Sequence, residues 1–320
     1  MAAMAWFITG TVGEFLAAAG EFLRADPVRN SVVLTVTEGL RLSPPPAAPS
    51  PSPDREEPWF GWWRPPGGPG GRDPQGLQDL QGPVGAVFLH TPGFPVFVSH
   101  TTRRAAAELA RDLAAAGRRI SGVSAGRQAA DAFAAAWQAR TGQTAVVHRR
   151  MRLFRLGELA WPRPDLETPE GTARLAVPPE AGLLAGWFEA FAREAGDPPR
   201  QDHRAAVGER LGYGGITLWE AGGVPVSVAA LTRTVAGMVR VGPVYTPPAL
   251  RGRGYAGAAT AAASQAALDA GVREVVLYTD LANPTSNALY QRLGYLPVED
   301  RVILSFEPGP HGLRFTGERT

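Results

Sequence analysis

Apolar positions along the chain fall into short strand-like runs and longer helix-like stripes, arranged in two series. In the first series, residues 84–89 and 95–99 read as the strands of a hairpin. Residues 102–117 form a helix with Leu109 and Leu113 on one face, and residues 125–140 another with Phe133 and Trp137 four apart. Residues 144–156 read as a closing strand. In the second series, residues 179–195 and 203–211 are helical, and Trp187, Phe188 and Phe191 give the first an apolar stripe suited to core packing. Residues 216–220, 225–231 and 238–245 follow as three strands, with Ala221-Gly222-Gly223 supplying the first turn. An Ala-rich helix over 255–270 stops at Gly271. A strand at 274–279, a helix at 285–293 and a strand at 295–306 complete the pattern.

Two breaks divide these series. Residues 43–82 are rich in Pro, Gly, Ser and Asp and read as a long flexible loop, interrupted by the apolar island Trp59-Phe60-Gly61-Trp62-Trp63, which is itself a candidate strand. Prolines and charges cluster again over 161–180. The expected organisation is an N-terminal domain at 1–158, a linker at 159–172, a second domain at 173–310 and a tail at 311–320. Each half holds an apolar hairpin, a Thr-Pro pair (Thr91-Pro92, Thr246-Pro247) and then a long Ala-rich helix, which suggests a distant internal repeat.

Composition narrows the classes. All 32 basic residues are Arg, the formal net charge is +2 and no dense basic run appears, so nucleic acid is not an expected partner. Cysteine is absent, which removes disulfides, thiolate metal sites and a thiol-bound acyl intermediate. The five His residues lack ligand spacing, so no metal site is expected. The N-terminus lacks a signal-peptide pattern and no stretch is long and apolar enough for a membrane span, so the expectation is a cytoplasmic protein without membrane contact.

The sharpest chemistry lies at 244–256. A strand enters a turn containing Arg251, Gly252, Arg253 and Gly254, which opens directly into a helix at Tyr255 and Ala256. Backbone N–H groups at such a helix start, aided by the helix dipole, make an anion site suited to phosphate or pyrophosphate. Gly252, Gly254 and Gly257 also satisfy the dinucleotide pattern G-x-G-x-x-G, with Asp280 placed as a ribose ligand. Against that stand the two prolines between strand and loop, and the hairpins that precede it. Arg251-x-x-Gly254-x-Ala256 resembles the pyrophosphate loop of the GNAT superfamily of N-acetyltransferases. The stretch from Asn283 through Leu289-Tyr290 to Gly294-Tyr295 resembles that family's next motif. The match covers about residues 173–306, and the whole chain resembles a tandem GNAT protein of actinobacterial type.

The resemblance implies an α+β fold with α/β layering, a mixed and mostly antiparallel central sheet flanked by helices. It makes the first half a degenerate copy that binds no cofactor. It implies acetyl-CoA as the acyl donor, its pantetheine arm along Val244, Tyr245 and Thr246 and its pyrophosphate on residues 251–256. It places Asn283 on the pantetheine arm and Tyr290 at the thioester sulfur as general acid. Glu220, at a strand end, is the candidate base for the amine. The expected function is direct transfer of an acetyl group to a small-molecule or protein amine, in a monomer or homodimer. A non-catalytic acyl-CoA sensor and a nicotinamide-dependent oxidoreductase stand as alternatives.

Overall fold

Alanine-rich stretches become helices and β-branched runs become strands, as propensity and burial dictate. The protein was analysed as a computed structural model, which describes residues 6–42, 57–65, 83–160, 169–197 and 203–309. The first half runs β1 (Trp6–Thr9), α1 (Val12–Ala25), α2 (Ser31–Leu42), β2 (Trp59–Trp63), β3 (Ala86–His90), β4 (Val96–Val98), α3 (Arg103–Ala115), β5 (Gly122–Gly126), α4 (Arg127–Thr141) and β6 (Thr144–Leu156). The second runs β7 (Thr172–Leu175), α5 (Ala181–Ala195), α6 (His203–Gly212), β8 (Ile216–Ala221), β9 (Val224–Leu231), β10 (Met238–Tyr245), α7 (Tyr255–Asp269), β11 (Glu274–Asp280), α8 (Pro284–Arg292) and β12 (Tyr295–Glu307).

The chain forms two compact units, residues 1–151 with 300–320, and residues 152–299. Both divisions fall inside strands, β6 and β12. In the first unit the strand order is β1-β2-β3-β4-β5 followed by the end of β12. Pairs are antiparallel except β4–β5, which is parallel. In the second unit the order is β7-β8-β9-β10-β11 followed by the end of β6. Here β7–β8, β8–β9 and β9–β10 are antiparallel and β10–β11 is parallel. The order is the same twice, with the sixth strand of each sheet drawn from the end of the other half's sequence. This is the mixed, mostly antiparallel sheet expected, and it repeats in both halves.

Several details differ from the sequence reading. The helix expected over 125–140 begins at Arg127, because residues 122–126 form β5 and Ala125 pairs with Val302. A Cβ at Gly122 would run into the Leu304 carbonyl oxygen, so this strand needs glycine where the neighbouring backbone comes close. The aromatic island does form the strand it was a candidate for, β2, and is buried at every position; the flanking stretches 43–56 and 66–82 lie outside the described residues, as do linker residues 161–168 and the tail. The expected linker ends at Thr172, where β7 begins and pairs with β8.

In the second unit α5 and α6 press Leu184, Phe188 and Val207 against Ile216, Leu218 and Val228. The helix α7 presents Ala258, Ala259 and Ala263 to Trp219, Val226 and Ala229. Its small side chains let it lie close to the strands, and it is buried nearly all round. A third cluster joins Val239, Val241, Val275 and Leu277 to Tyr290 and Tyr295, and it includes Phe154 and Leu156 from β6.

Phe154 precedes the linker, yet it is fully buried in the second unit. Phe154→Ala therefore destabilises that unit by roughly 3–5 kcal/mol. Native-state hydrogen exchange read by mass spectrometry checks this: amides of β11 lose protection, while those of β5 keep theirs.

Candidate functional site

The site begins where two parallel strands part. The register of β10 with β11 runs from Met238↔Glu274 to Val241↔Leu277 and ends there. β10 continues to Tyr245, paired on its other side with β9 through Val244↔Ala229 and Tyr245↔Val228. A bulge between Val241 and Val244 makes the turn away, with Gly242 at φ 148°. The edge of β10 that faced β11 is then left without a strand partner from residue 242 onward. Strand N–H and C=O groups require partners when buried, so this edge accepts an extended ligand as an added strand. Tyr245 and Thr246 are both buried. Ser227 Oγ holds the end of β10 in place, 3.1 Å from the Tyr245 carbonyl and 2.8 Å from Thr246 Oγ1.

The loop after β10 first makes a tight turn, Leu250 N–H donating to the Pro247 carbonyl at 2.9 Å and Arg251 N–H to that of Pro248 at 3.3 Å. Gly254 then caps α7 with φ 81°, a left-handed conformation that glycine adopts without strain, and no side chain caps the helix. The first helical bond is Ala258 N–H to the Gly254 carbonyl. Among the described residues, no protein acceptor takes the backbone N–H groups from Gly252 to Gly257. Four of these amides open the helix and two lie in the turn before it, an arrangement that can hold an anion. Gly257 has a packing reason of its own: a Cβ there would stand 3.0 Å from Leu289 Cδ1, where α7 meets α8.

Arg251 braces the loop. Its Nε donates to the Thr246 carbonyl at 2.9 Å, and Nη2 reaches both carboxylate oxygens of Glu194 on α5, at 2.9 and 2.7 Å. Its guanidinium also lies 5.6 Å from the Tyr245 ring. Arg253 is exposed in the turn, while Tyr255 and Ala256 open the helix half-buried.

Asn283 caps α8, its side chain accepting from Ser286 N–H at 3.0 Å. Its backbone N–H and carbonyl are used locally, by Asp280 and Asn287. The side-chain amide N–H groups are thus what Asn283 can offer a ligand.

Tyr290 is buried in the cluster below the parted strands. Its ring lies 6.4 Å from that of Phe154 and meets that of Tyr295 edge-on at 5.9 Å. Burial pushes its hydroxyl up to about 12, because a phenolate there would lack water. The phenol therefore stays a donor at any ordinary pH.

Glu220 is placed differently. It lies on β8, two strands from β10 in the sheet order, and pairs in register with Thr172 of β7. Arg174 holds its carboxylate at 2.5 Å and grips Glu180 with its other nitrogens at 2.7 and 3.0 Å. The structure brings Val244, Tyr245, Thr246, the 251–256 loop, Asn283 and Tyr290 to the end of β10 and its neighbouring helices; Glu220 belongs to a separate edge-strand ion pair.

The corresponding place in the first unit is closed. β4 and β5 part after Phe97↔Ser124, but only residues 99–102 separate β4 from α3. Thr102 Oγ1 accepts from Ala105 N–H at 3.2 Å and caps that helix itself. The Arg301 guanidinium, 3% exposed, donates to the Val98 carbonyl at 2.5 Å and the Ser124 carbonyl at 2.8 Å and lies over the Phe97 ring at 4.1 Å. Phe154 and Arg301 lie outside any motif, and Tyr295 closes the second motif, but sequence reasoning assigned none of them a role. The buried hydroxyls Thr260 and Ser264, four apart in an alanine helix, were a legible signal.

The second unit thus places a parted strand pair, a run of unbonded amides at a helix start and a buried phenol in one part of the fold. Residues 183–295 match the family model described as Acetyltransferase (GNAT) family. The second unit thus carries a GNAT acetyltransferase domain. Solved structures share the fold. A GCN5-related N-acetyltransferase from Sphaerobacter thermophilus is 20% identical with TM-score 0.57, covering 97% of this chain and 98% of its own. A Drosophila protein is 14% identical with TM-score 0.59, covering 96% and 99%. A GNAT-family acetyltransferase from Colwellia psychrerythraea is 12% identical with TM-score 0.52, covering 94% and 98%. No curated protein matches the chain. Among the described residues, no helix is long and apolar enough to cross a membrane and no cluster of potential ligands suits a metal.

The raised Tyr290 pKa has a stability consequence. The folded value lies above the ordinary phenol value near ~10, so the buried phenol contributes fully below that pH, and its contribution is lost as pH rises toward about 12. Urea unfolding followed from pH 9 to pH 12 should show a smaller alkaline loss in Tyr290→Phe than in the wild type, by on the order of 2 kcal/mol.

Proposed function

We propose that this chain transfers an acetyl group from acetyl-CoA to an amine by direct attack within a ternary complex. The run of amides from 252 to 257, beside the open edge of β10, carries the reading. In it the amides hold the donor's pyrophosphate and the edge of residues 242–246 receives the pantetheine arm, with Asn283 donating from the start of α8. The amine lone pair forms the C–N bond, the C–S bond breaks and the electron pair leaves on sulfur. Tyr290 donates its hydrogen bond to that sulfur as charge develops there. A phenol held near 12 keeps its proton at working pH, and the apolar surroundings that raise it also disfavour a bare thiolate.

Arg251 acts on this reading as the brace of the loop, since its guanidinium is engaged by Thr246 and Glu194. Glu220, proposed from the sequence as the base, is engaged by Arg174, so the amine proton leaves through water. One donor binds per chain, because Thr102 and Arg301 occupy the equivalent place in the first unit. The antiparallel pairs β7–β8, β8–β9 and β9–β10 beside the parallel β10–β11 are not the doubly wound parallel order of a dinucleotide fold.

Free-CoA release from acetyl-CoA over a panel of amines tests the proposal. Tyr290→Phe should lower kcat by roughly 10²–10⁴ with little change in KM for acetyl-CoA. Full turnover in that variant would remove Tyr290 from the chemistry. CoA should raise the melting temperature and NAD should not; the reverse would overturn the reading. Glu220→Gln should retain turnover within a few-fold and lose about 1 kcal/mol of stability; loss of turnover without loss of stability would restore it as the base.

A further inference from the structure

The helix α7 is built almost wholly of alanine where it is buried, yet it carries two hydroxyls, Thr260 and Ser264, each with no exposed surface. Each hydroxyl donates its single proton to the backbone one turn earlier, Thr260 Oγ1 to the Ala256 carbonyl at 2.8 Å and Ser264 Oγ to the Thr260 carbonyl at 2.7 Å. With that proton committed, Ser264 Oγ can only accept from its remaining partner, Tyr295 Oη, 2.8 Å away. Tyr295 is therefore the donor. Burial keeps its phenol protonated, above the ordinary range. Its ring, 1% exposed, meets the Tyr290 ring edge-on at 5.9 Å, and Phe154 lies tilted against Tyr290 at 6.4 Å.

Alanine at 264 would serve helix and packing equally well, since Ala is the better helix former. The hydroxyl is explained by what it holds. We infer that the buried Ser264–Tyr295 hydrogen bond positions Tyr290, fixing the ring against which the catalytic phenol is seated and tying it to the helix that begins at the cofactor loop. Tyr295 and Ser264 are positioning residues, acting through Tyr290. The inference rests on the proposed role of Tyr290 for its catalytic meaning, but its structural content stands apart from that role.

The test uses full-length protein labelled with [ζ-¹³C]tyrosine. The Tyr290 and Tyr295 resonances are identified by their loss in Tyr290→Phe and Tyr295→Phe. Ser264→Ala removes the acceptor and leaves every ring in place. It should shift or broaden both resonances while that of Tyr213, in the turn just after α6, holds. With acetyl-CoA and the fastest amine of the panel, kcat should fall by on the order of tenfold to a hundredfold at unchanged KM for acetyl-CoA. A Tyr295 resonance that moves while Tyr290 stays fixed would overturn the inference. So would a kcat equal to the wild type in Ser264→Ala when Tyr290→Phe is slow. A Tyr290→Phe enzyme with full turnover would sink the acid role alone, leaving the coupled resonances to decide the positioning. Should Ser264→Ala fail to fold, Tyr295→Phe, which orphans no phenol, carries the same readout on Tyr290.

Discussion

Everything at the site depends on β10 leaving β11 after Val241. A parallel pair inside a sheet ordinarily satisfies both of its backbone edges, and parting them leaves groups that must find another partner. The bulge before Val244 opens that edge while β9 keeps hold of the other. Thr246, Ser227 and Arg251 then fix the strand end, so that the next turns deliver six unclaimed amides. The strand edge suits an amide-bearing arm and the amides suit a diphosphate. The proposed donor, acetyl-CoA, carries both, with a thioester at its end.

The same parting occurs in the first unit and is filled from within. There a guanidinium takes the exposed carbonyls and a threonine takes the helix amide. A buried cation bonded to two carbonyls and stacked on an aromatic ring occupies the place with no ligand needed. The first unit is non-contiguous in sequence, since Arg301 reaches it from the end of the chain, and the second begins at Arg152, so that Phe154 belongs to it although it stands before the expected linker.

Much of this was legible because local pattern and tertiary role agreed. The Ala-rich α7, the strand β10 and the loop between them follow from periodicity, proline and glycine, and their ends match the reading closely. Asn283 was legible as a cap because capping is a local interaction. What escaped was non-local. Nothing in Thr144–Leu156 says that its second half joins a different unit from its first, since alternation records faces and not partners. The strand β5 escaped because Gly122, Ser124 and Gly126 are weak strand formers, held there by pairing with β12. Glu220 was read from its place at a strand end, and its direction was set by Arg174, forty-six positions away in sequence. Arg301 is an unremarked arginine among 32 until its burial is seen.

A crystal structure of the full chain with CoA tests the central claim most directly. The account predicts one CoA per chain, its pyrophosphate on the amides of residues 252–257 and its pantetheine arm paired with the open edge of β10, with Arg301 still across Val98 and Ser124. A CoA seated elsewhere, or a second one displacing Arg301, would contradict it.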